Sequence, residues 1–270
     1  MDKRRVIYYS DELNDEFSLT EITPRRIDGD YVYCHTSLIK RFTHFFWYRI
    51  IFTPIAFFHS KLVHHHKTIG KEKFKSYKKT GYFMYGNHTQ DIGDAFIPNM
   101  INFPKTNYVI VHPNNVSMPI LGKVTPSMGA LPLPDDREAY RNFLAAIEKR
   151  VAEKKKIVIY PEAHIWPYYT GVRRFSDVSF SYPVRQGAPV IAFFTAYTPP
   201  KGFLSCLRKA NMTVYVSDPI YPDRTLPERE ARKDLCERVH AFMQEKSQLS
   251  TYEVYAYRQT ERTEEAKAKI

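Results

Sequence analysis

Apolar and polar positions change period several times along the chain. Short apolar or aromatic runs at residues 82–85, 108–111, 157–160, 190–194 and 212–216 have the length of buried strands. Between them the apolar positions recur at helical spacing. In residues 135–155, Tyr140, Phe143, Leu144, Ile147 and Val151 make one stripe, and in residues 228–249, Ala231, Leu235, Val239, Phe242 and Met243 make another. Strands alternating with amphipathic helices predict an α/β fold, a single domain with a mainly parallel or mixed central sheet flanked by helices. That domain spans residues 81–270 and includes the C-terminal helix, with residues 1–80 as an N-terminal appendage. Within the appendage, residues 6–9 can form a short strand, and residues 27–34, with an Asp28-Gly29 turn, a hairpin. The charged tail, residues 261–270, is expected to fray.

One apolar run does not belong to the sheet. FFWYRIIFTPIAFF, residues 45–58, is shorter than the roughly 20 apolar residues a bilayer span needs, and Arg49 interrupts it. Lys40, Arg41 and Lys61 flank it. Such a segment suits a helix lying in the lipid headgroup region, a membrane-interfacial helical segment; an ordinary buried helix with solvated ends has the same pattern. Charge sharpens the picture. The net charge is +11, and residues 31–80 carry Lys and Arg in large excess over their one acid, Glu72. A basic block can meet nucleic acid, anionic lipid or a phosphate-bearing substrate. No nucleic-acid-binding motif accompanies it, so an anionic membrane surface is the expected partner and nucleic acid is not. His64, His65 and His66 are adjacent, cannot all face one metal, and are expected as a solvated or headgroup-facing patch. The three cysteines are scattered without a CxxC pair, as suits a reducing compartment.

Chemistry gathers where two of the strands stop. In GYFMYGNHTQDIGDAF, residues 81–96, the run 82–85 ends at Gly86 and delivers Asn87 and His88, with Asp91 and Asp94 close behind. In KKKIVIYPEAH the run 157–160 ends at Pro161 and is followed by Glu162 and His164. Residues just past the carboxyl ends of parallel strands line the ligand crevice of α/β sheets, so His88 and Glu162 are expected to meet there. Arg173 and Arg174, in GVRRF, match phosphate in residue type, and Lys123 and Arg137 in the Gly- and Pro-rich segment 122–137 are further cationic candidates.

The order GNHTQDIGDAF, MGALPLPDDR, IYPEAH, GAPVIAFF resembles the glycerolipid acyltransferase family, which includes the bacterial 1-acyl-glycerol-3-phosphate acyltransferases; the resemblance covers residues 80 to about 220. It departs from the family pattern in places. The family's aspartate stands five residues after its histidine, where this chain has Gly93; Asp94 is the preferred equivalent and Asp91 the alternative. Ala163 and His164 replace the family's Gly-Thr, and Arg137 comes later than the second block predicts.

The resemblance implies acyl transfer from a thioester, acyl-CoA or acyl-carrier protein, to the hydroxyl of a lysophospholipid, with 1-acyl-glycerol-3-phosphate giving phosphatidic acid. His88 would be the general base and Asp94 or Asp91 its partner. Backbone N–H groups of residues 86–90 would meet the oxyanion. Glu162 and Asn87 would help to bind substrate, and Arg137, Arg173, Arg174 and Lys123 would neutralise its phosphate. No metal and no organic cofactor is implied. The protein is expected at the cytoplasmic face of a membrane, peripheral or monotopic. An acyltransferase for another lyso-lipid acceptor, or a catalytically silent lipid-binding homologue, would carry the same blocks.

Overall fold

Strand polarity organises the molecule. The structure, a computed structural model, describes residues 5–17, 22–77, 79–202 and 205–260, so the charged tail lies outside the described residues. The first strand is β1 (Arg5–Tyr9), followed by a helical run of α1 (Leu38–Phe45), a π-helical stretch (Phe46–Phe52) and α2 (Thr53–His64). Then come β2 (Lys67–Ile69), β3 (Tyr82–Gly86), α3 (Gly93–Asn102), β4 (Asn107–Val111) and the short α4 (Asn114–Ser117) and α5 (Leu121–Val124). The second half runs β5 (Ala130–Pro132), α6 (Arg137–Ala152), β6 (Lys156–Ile159), α7 (Ser181–Gln186), β7 (Val190–Thr198), β8 (Asn211–Val216), α8 (Glu228–Ser247) and β9 (Tyr255–Gln259).

The central sheet has seven strands in the order β2-β8-β7-β3-β6-β4-β5. From β7 to β5 neighbouring strands are parallel; β8 runs antiparallel to β7 and carries β2 parallel to itself. The chain is thus a single α/β domain with a mixed, mainly parallel sheet. β3 is buried throughout because helices cover both faces. Phe83 and Tyr85 pack with Phe143, Ile147, Leu235 and Val239 from α6 and α8, whereas Tyr82 and Met84 pack with Ile97 and Ile101 from α3. This alternation is the period-two geometry of a strand. The start of α6 is fixed by Asp136, whose carboxylate accepts the Ala139 N–H at 2.8 Å.

Residues before 81 are woven into this frame. β2 joins the edge of the sheet, Ile27 and Tyr33 belong to the core, and β1 pairs in parallel with β9 in a separate two-stranded sheet. No hairpin forms over residues 27–34. Ile27 instead exchanges hydrogen bonds with Asp135, its N–H donating to Oδ2 at 2.6 Å and its carbonyl accepting the Asp135 N–H at 3.0 Å, while the Tyr33 hydroxyl donates to the Pro132 carbonyl.

The histidine run is not a solvated patch. His64 and His66 are buried, and the His66 ring meets Thr68 Oγ1 at 2.8 Å. His65 alone adopts a left-handed backbone, which ends α2 and turns the chain toward β2. Among the described residues no helix is long and apolar enough to cross a membrane.

Candidate active site

Neighbouring parallel strands β3 and β6 end side by side, with Tyr85 opposite Ile159, so the segments that follow them share one edge of the sheet. His88 leaves β3 there. Its Nδ1 lies 2.7 Å from Asp94 Oδ2, and its ring stacks on Tyr160 at 4.7 Å with 18° between the planes. The His88 side chain keeps 18% of its surface exposed while that of Asp94 keeps 3%. Nε2 of His88 makes no hydrogen bond to the described residues, so one ring nitrogen is held and the other faces outward. An acceptor on Nδ1 fixes the tautomer with its proton on Nδ1, leaving Nε2 as a base.

Asp94 is itself fixed. The same Oδ2 accepts the N–H groups of Thr89 and Gln90 at 2.8 and 2.9 Å, and the Asp94 carbonyl accepts the Tyr160 hydroxyl at 2.6 Å. Placed in the first turn of α3, the carboxylate also sits at the positive end of the helix dipole. Below the loop, the Tyr197 hydroxyl meets Thr89 Oγ1 at 2.7 Å and Gln90 Nε2 at 2.8 Å. Burial raises the phenols of Tyr160 and Tyr197 well above their ordinary range, which keeps them as O–H groups.

Glu162 ties the two loops together. Its Oε2 accepts the His88 N–H at 3.3 Å and pairs with Arg173 Nη2 at 3.1 Å, while Oε1 accepts the Arg173 N–H at 3.2 Å. Burial raises the Glu162 carboxyl above its usual range, against the pull of the Arg173 guanidinium and the two N–H donors. Arg173 also donates to the His164 carbonyl and lies over the Trp166 ring at 4.8 Å. Trp166 and Tyr168 bind back to the first loop, their N–H groups donating to the carbonyls of His88 at 3.1 Å and Thr89 at 2.9 Å.

No family model and no curated protein matches the chain. Among solved structures, the chain is similar to the crystal structure of the 1-acyl-sn-glycerophosphate (LPA) acyltransferase PlsC from Thermotoga maritima. The two share 19% sequence identity over 77% of this chain and 79% of that chain, with a TM-score of 0.49.

The candidates divide clearly by position. His88, Asp94, Glu162, Arg173 and Asn87 converge; Asp91 is exposed at its surface and does not bond His88, and partial desolvation by the protein on its inner side, with the nearby Asp94 charge, raises its carboxyl. Asn87 faces the protein interior, its Oδ1 accepting the Thr195 N–H at 2.8 Å and its Nδ2 donating to the Thr195 carbonyl at 3.2 Å, so it extends the β3–β7 ladder and does not bind substrate. Arg173 is likewise no phosphate ligand, because its side chain is fully enclosed beside Glu162. Arg174, Arg137 and Lys123 are exposed, and among the described residues none of their side chains bonds the His88 loop. Three N–H groups expected at the oxyanion, those of His88, Thr89 and Gln90, are engaged by Glu162 and Asp94. Sequence reasoning missed Tyr160, Tyr197 and Trp166. Of these, Tyr160 directly precedes the Pro-Glu pair, a position that invited notice; the other two are ordinary core aromatics by pattern.

Proposed function

We propose that the protein is an O-acyltransferase that moves a fatty acyl group from acyl-CoA or acyl-carrier protein to the hydroxyl of a lysophospholipid, with 1-acyl-glycerol-3-phosphate as acceptor and phosphatidic acid as product. The observation that carries this proposal is the His88–Asp94 contact of 2.7 Å at the strand ends, in a side chain that stays 18% exposed and whose Nε2 has no hydrogen-bond partner among the described residues. A lipid alcohol is a weak nucleophile until its proton is removed in the transition state. Nε2 takes that proton as the oxygen attacks the thioester carbonyl, and Asp94 stabilises the imidazolium that results. The tetrahedral intermediate then expels the thiolate, which recovers the proton from His88. An ester and a free thiol leave, and the enzyme is unchanged. Glu162 and Arg173 act as a brace that holds the His88 backbone. Exposed Arg174, Arg137 and Lys123 are the cations available to the acceptor phosphate.

The same proposal places the protein on the cytoplasmic face of a membrane. Along the helical run Leu38, Ile39, Phe42, Phe45, Ile50 and Phe58 are exposed, and Lys40, Arg41 and Lys61 flank them. An apolar stripe with basic flanks favours peripheral attachment to an anionic surface.

Thiol release from acyl-CoA, measured with lysophosphatidic acid and with neutral lyso-acceptors, is the direct test. His88→Ala should lose roughly 10²- to 10⁴-fold in rate, and Asp94→Asn about 10²-fold or more, with circular dichroism unchanged, while Asp91→Asn stays within about threefold. Near-normal turnover by His88→Ala refutes the mechanism.

A further inference from the structure

The edge of the sheet opposite His88 carries a second cluster of charge. The amino-terminal ends of β3, β4 and β6 lie there, about 15 Å along β3 from the catalytic loop at ordinary strand rise. A cavity of about 360 Å³ opens between them. Its wall gathers Arg49 from the π-helical stretch, Lys79 before β3, Lys105 before β4, and Lys154 and Lys155 before β6. The acid among the lining residues, Glu153, is already paired with Arg150 at 2.9 Å.

Arg49 is held in place yet incompletely satisfied. Its Nη2 donates to the Pro104 carbonyl at 2.5 Å and to Thr106 Oγ1 at 3.0 Å, while Nη1 is buried without a hydrogen-bond acceptor among the described residues, the guanidinium lying 5.0 Å from the centre of the Tyr48 ring. Behind the wall, Lys156 donates to the carbonyls of Thr80 and Lys154, its ammonium 4.4 Å from the centre of the Tyr82 ring. Burial, and then the charges of Lys105 and Lys155, push its pKa down to about 8.

We propose that this cavity is a binding site for a phosphate group, monoester or diphosphate, separate from the catalytic site. Four lysines grouped around an anchored guanidinium match the charge of a multiply charged phosphate. The cavity has room for the phosphate and part of the molecule that bears it. Two sources share this chemistry. Arg49 belongs to the helical run that exposes Phe46 and Ile50, which brings the cavity mouth beside the proposed membrane face and favours a lipid headgroup; a soluble phosphate would enter the same way. The site does not depend on acyl transfer.

Titration calorimetry of the full chain with inorganic pyrophosphate forms one arm of the test. Sedimentation with phosphatidylcholine vesicles carrying phosphatidic acid, against phosphatidylglycerol vesicles of matched surface charge, forms the other. The double variant Lys105→Gln/Lys155→Gln, with Arg49→Gln as an independent second variant, should bind at least one probe about tenfold or more weakly, with an unchanged melting curve. Weakening toward pyrophosphate assigns a soluble source, and weakening confined to phosphatidic acid vesicles assigns a headgroup. Equal binding by wild type and both variants in both arms, or no binding by any of them, overturns the site. His88→Ala should leave every one of these values unmoved, so this site and the catalytic mechanism fail independently.

Discussion

Asp94 Oδ2 accepts from three nitrogens, and Gly93 decides that this aspartate does so. A Cβ built on Gly93 would come 2.9 Å from Cβ of Gln90, so a side chain at that position, five residues after His88, forces the loop to shift. The carboxylate moves one residue on, to the first turn of α3. Ala163 shows the complementary case. It has a left-handed backbone, φ 63°, a conformation that favours glycine. The histidine, the Pro-Glu pair and two rival aspartates were legible in the sequence. Which aspartate, and whether Arg173 faces solvent, depended on where α3 begins and how tightly loop 160–174 folds. Arg173 carries the prediction at this scale. Removing one partner of a buried ion pair strands the other charge, so Arg173→Leu should lower stability by about 3–5 kcal/mol in urea unfolding. Any residual acyl transfer should fall equally with phosphate-bearing and neutral acceptors. A loss confined to phosphate-bearing acceptors would restore Arg173 as a phosphate ligand.

Among the elements, α2 and its exit bear the clearest dependence on pH. Burial lowers His64 to about 4 and His66 to about 3, with Lys61 adding to the effect on His66. Both are neutral in the folded chain and titrate near 6.5 when unfolded, so between those values the unfolded chain binds more protons. Stability should therefore be full above about pH 6.5 and fall on acidification by up to about 1.4 kcal/mol per pH unit for each histidine until its folded pKa is passed. Urea midpoints at pH 7 and pH 5 measure this, and His66→Gln should flatten the slope; an unchanged slope would place the imidazole in solvent. The strands with continuous apolar runs, β3, β4, β6, β7 and β8, and the striped helices α6 and α8 could be read directly from the chain. β2, β5 and β9 could not. The first two have three residues each, too few to show a period, and β9 (YAYRQ) mixes aromatic and polar residues on a small sheet exposed at its end. The histidines 64–66 misled for a similar reason: polarity forecasts exposure, but packing of His64 against His59 and Tyr168, and the His66–Thr68 contact, overrode it.

At the scale of the whole molecule, the first described segment fastens loop 160–174, which braces the His88 loop. Arg173 Nη1 donates to the Glu12 carbonyl at 3.4 Å, Glu16 pairs with His164 at 3.1 Å and accepts the Ile165 N–H, and the Trp166 indole N–H donates to the Asp15 carbonyl at 2.8 Å. Tyr9 from β1 and Tyr257 from β9 close on Trp166 at 4.6 and 5.0 Å. Deleting residues 1–17 should thus leave the seven-stranded sheet folded but expose residues 160–174 to limited proteolysis and lower acyl transfer at least about tenfold, in line with the sensitivity of catalysis to misplacement. Unchanged cleavage and turnover would show that the segment is ornamental.

Pairing β1 with β9 also sets a clock. Of the described strands, β1 leaves the ribosome first and its mate last, so their union must wait for nearly all the intervening chain and closes a very long loop. Nascent chains and fragments stopping short of residue 255 would hold a finished seven-stranded sheet yet an unfastened loop 160–174, so that competence arrives with β9.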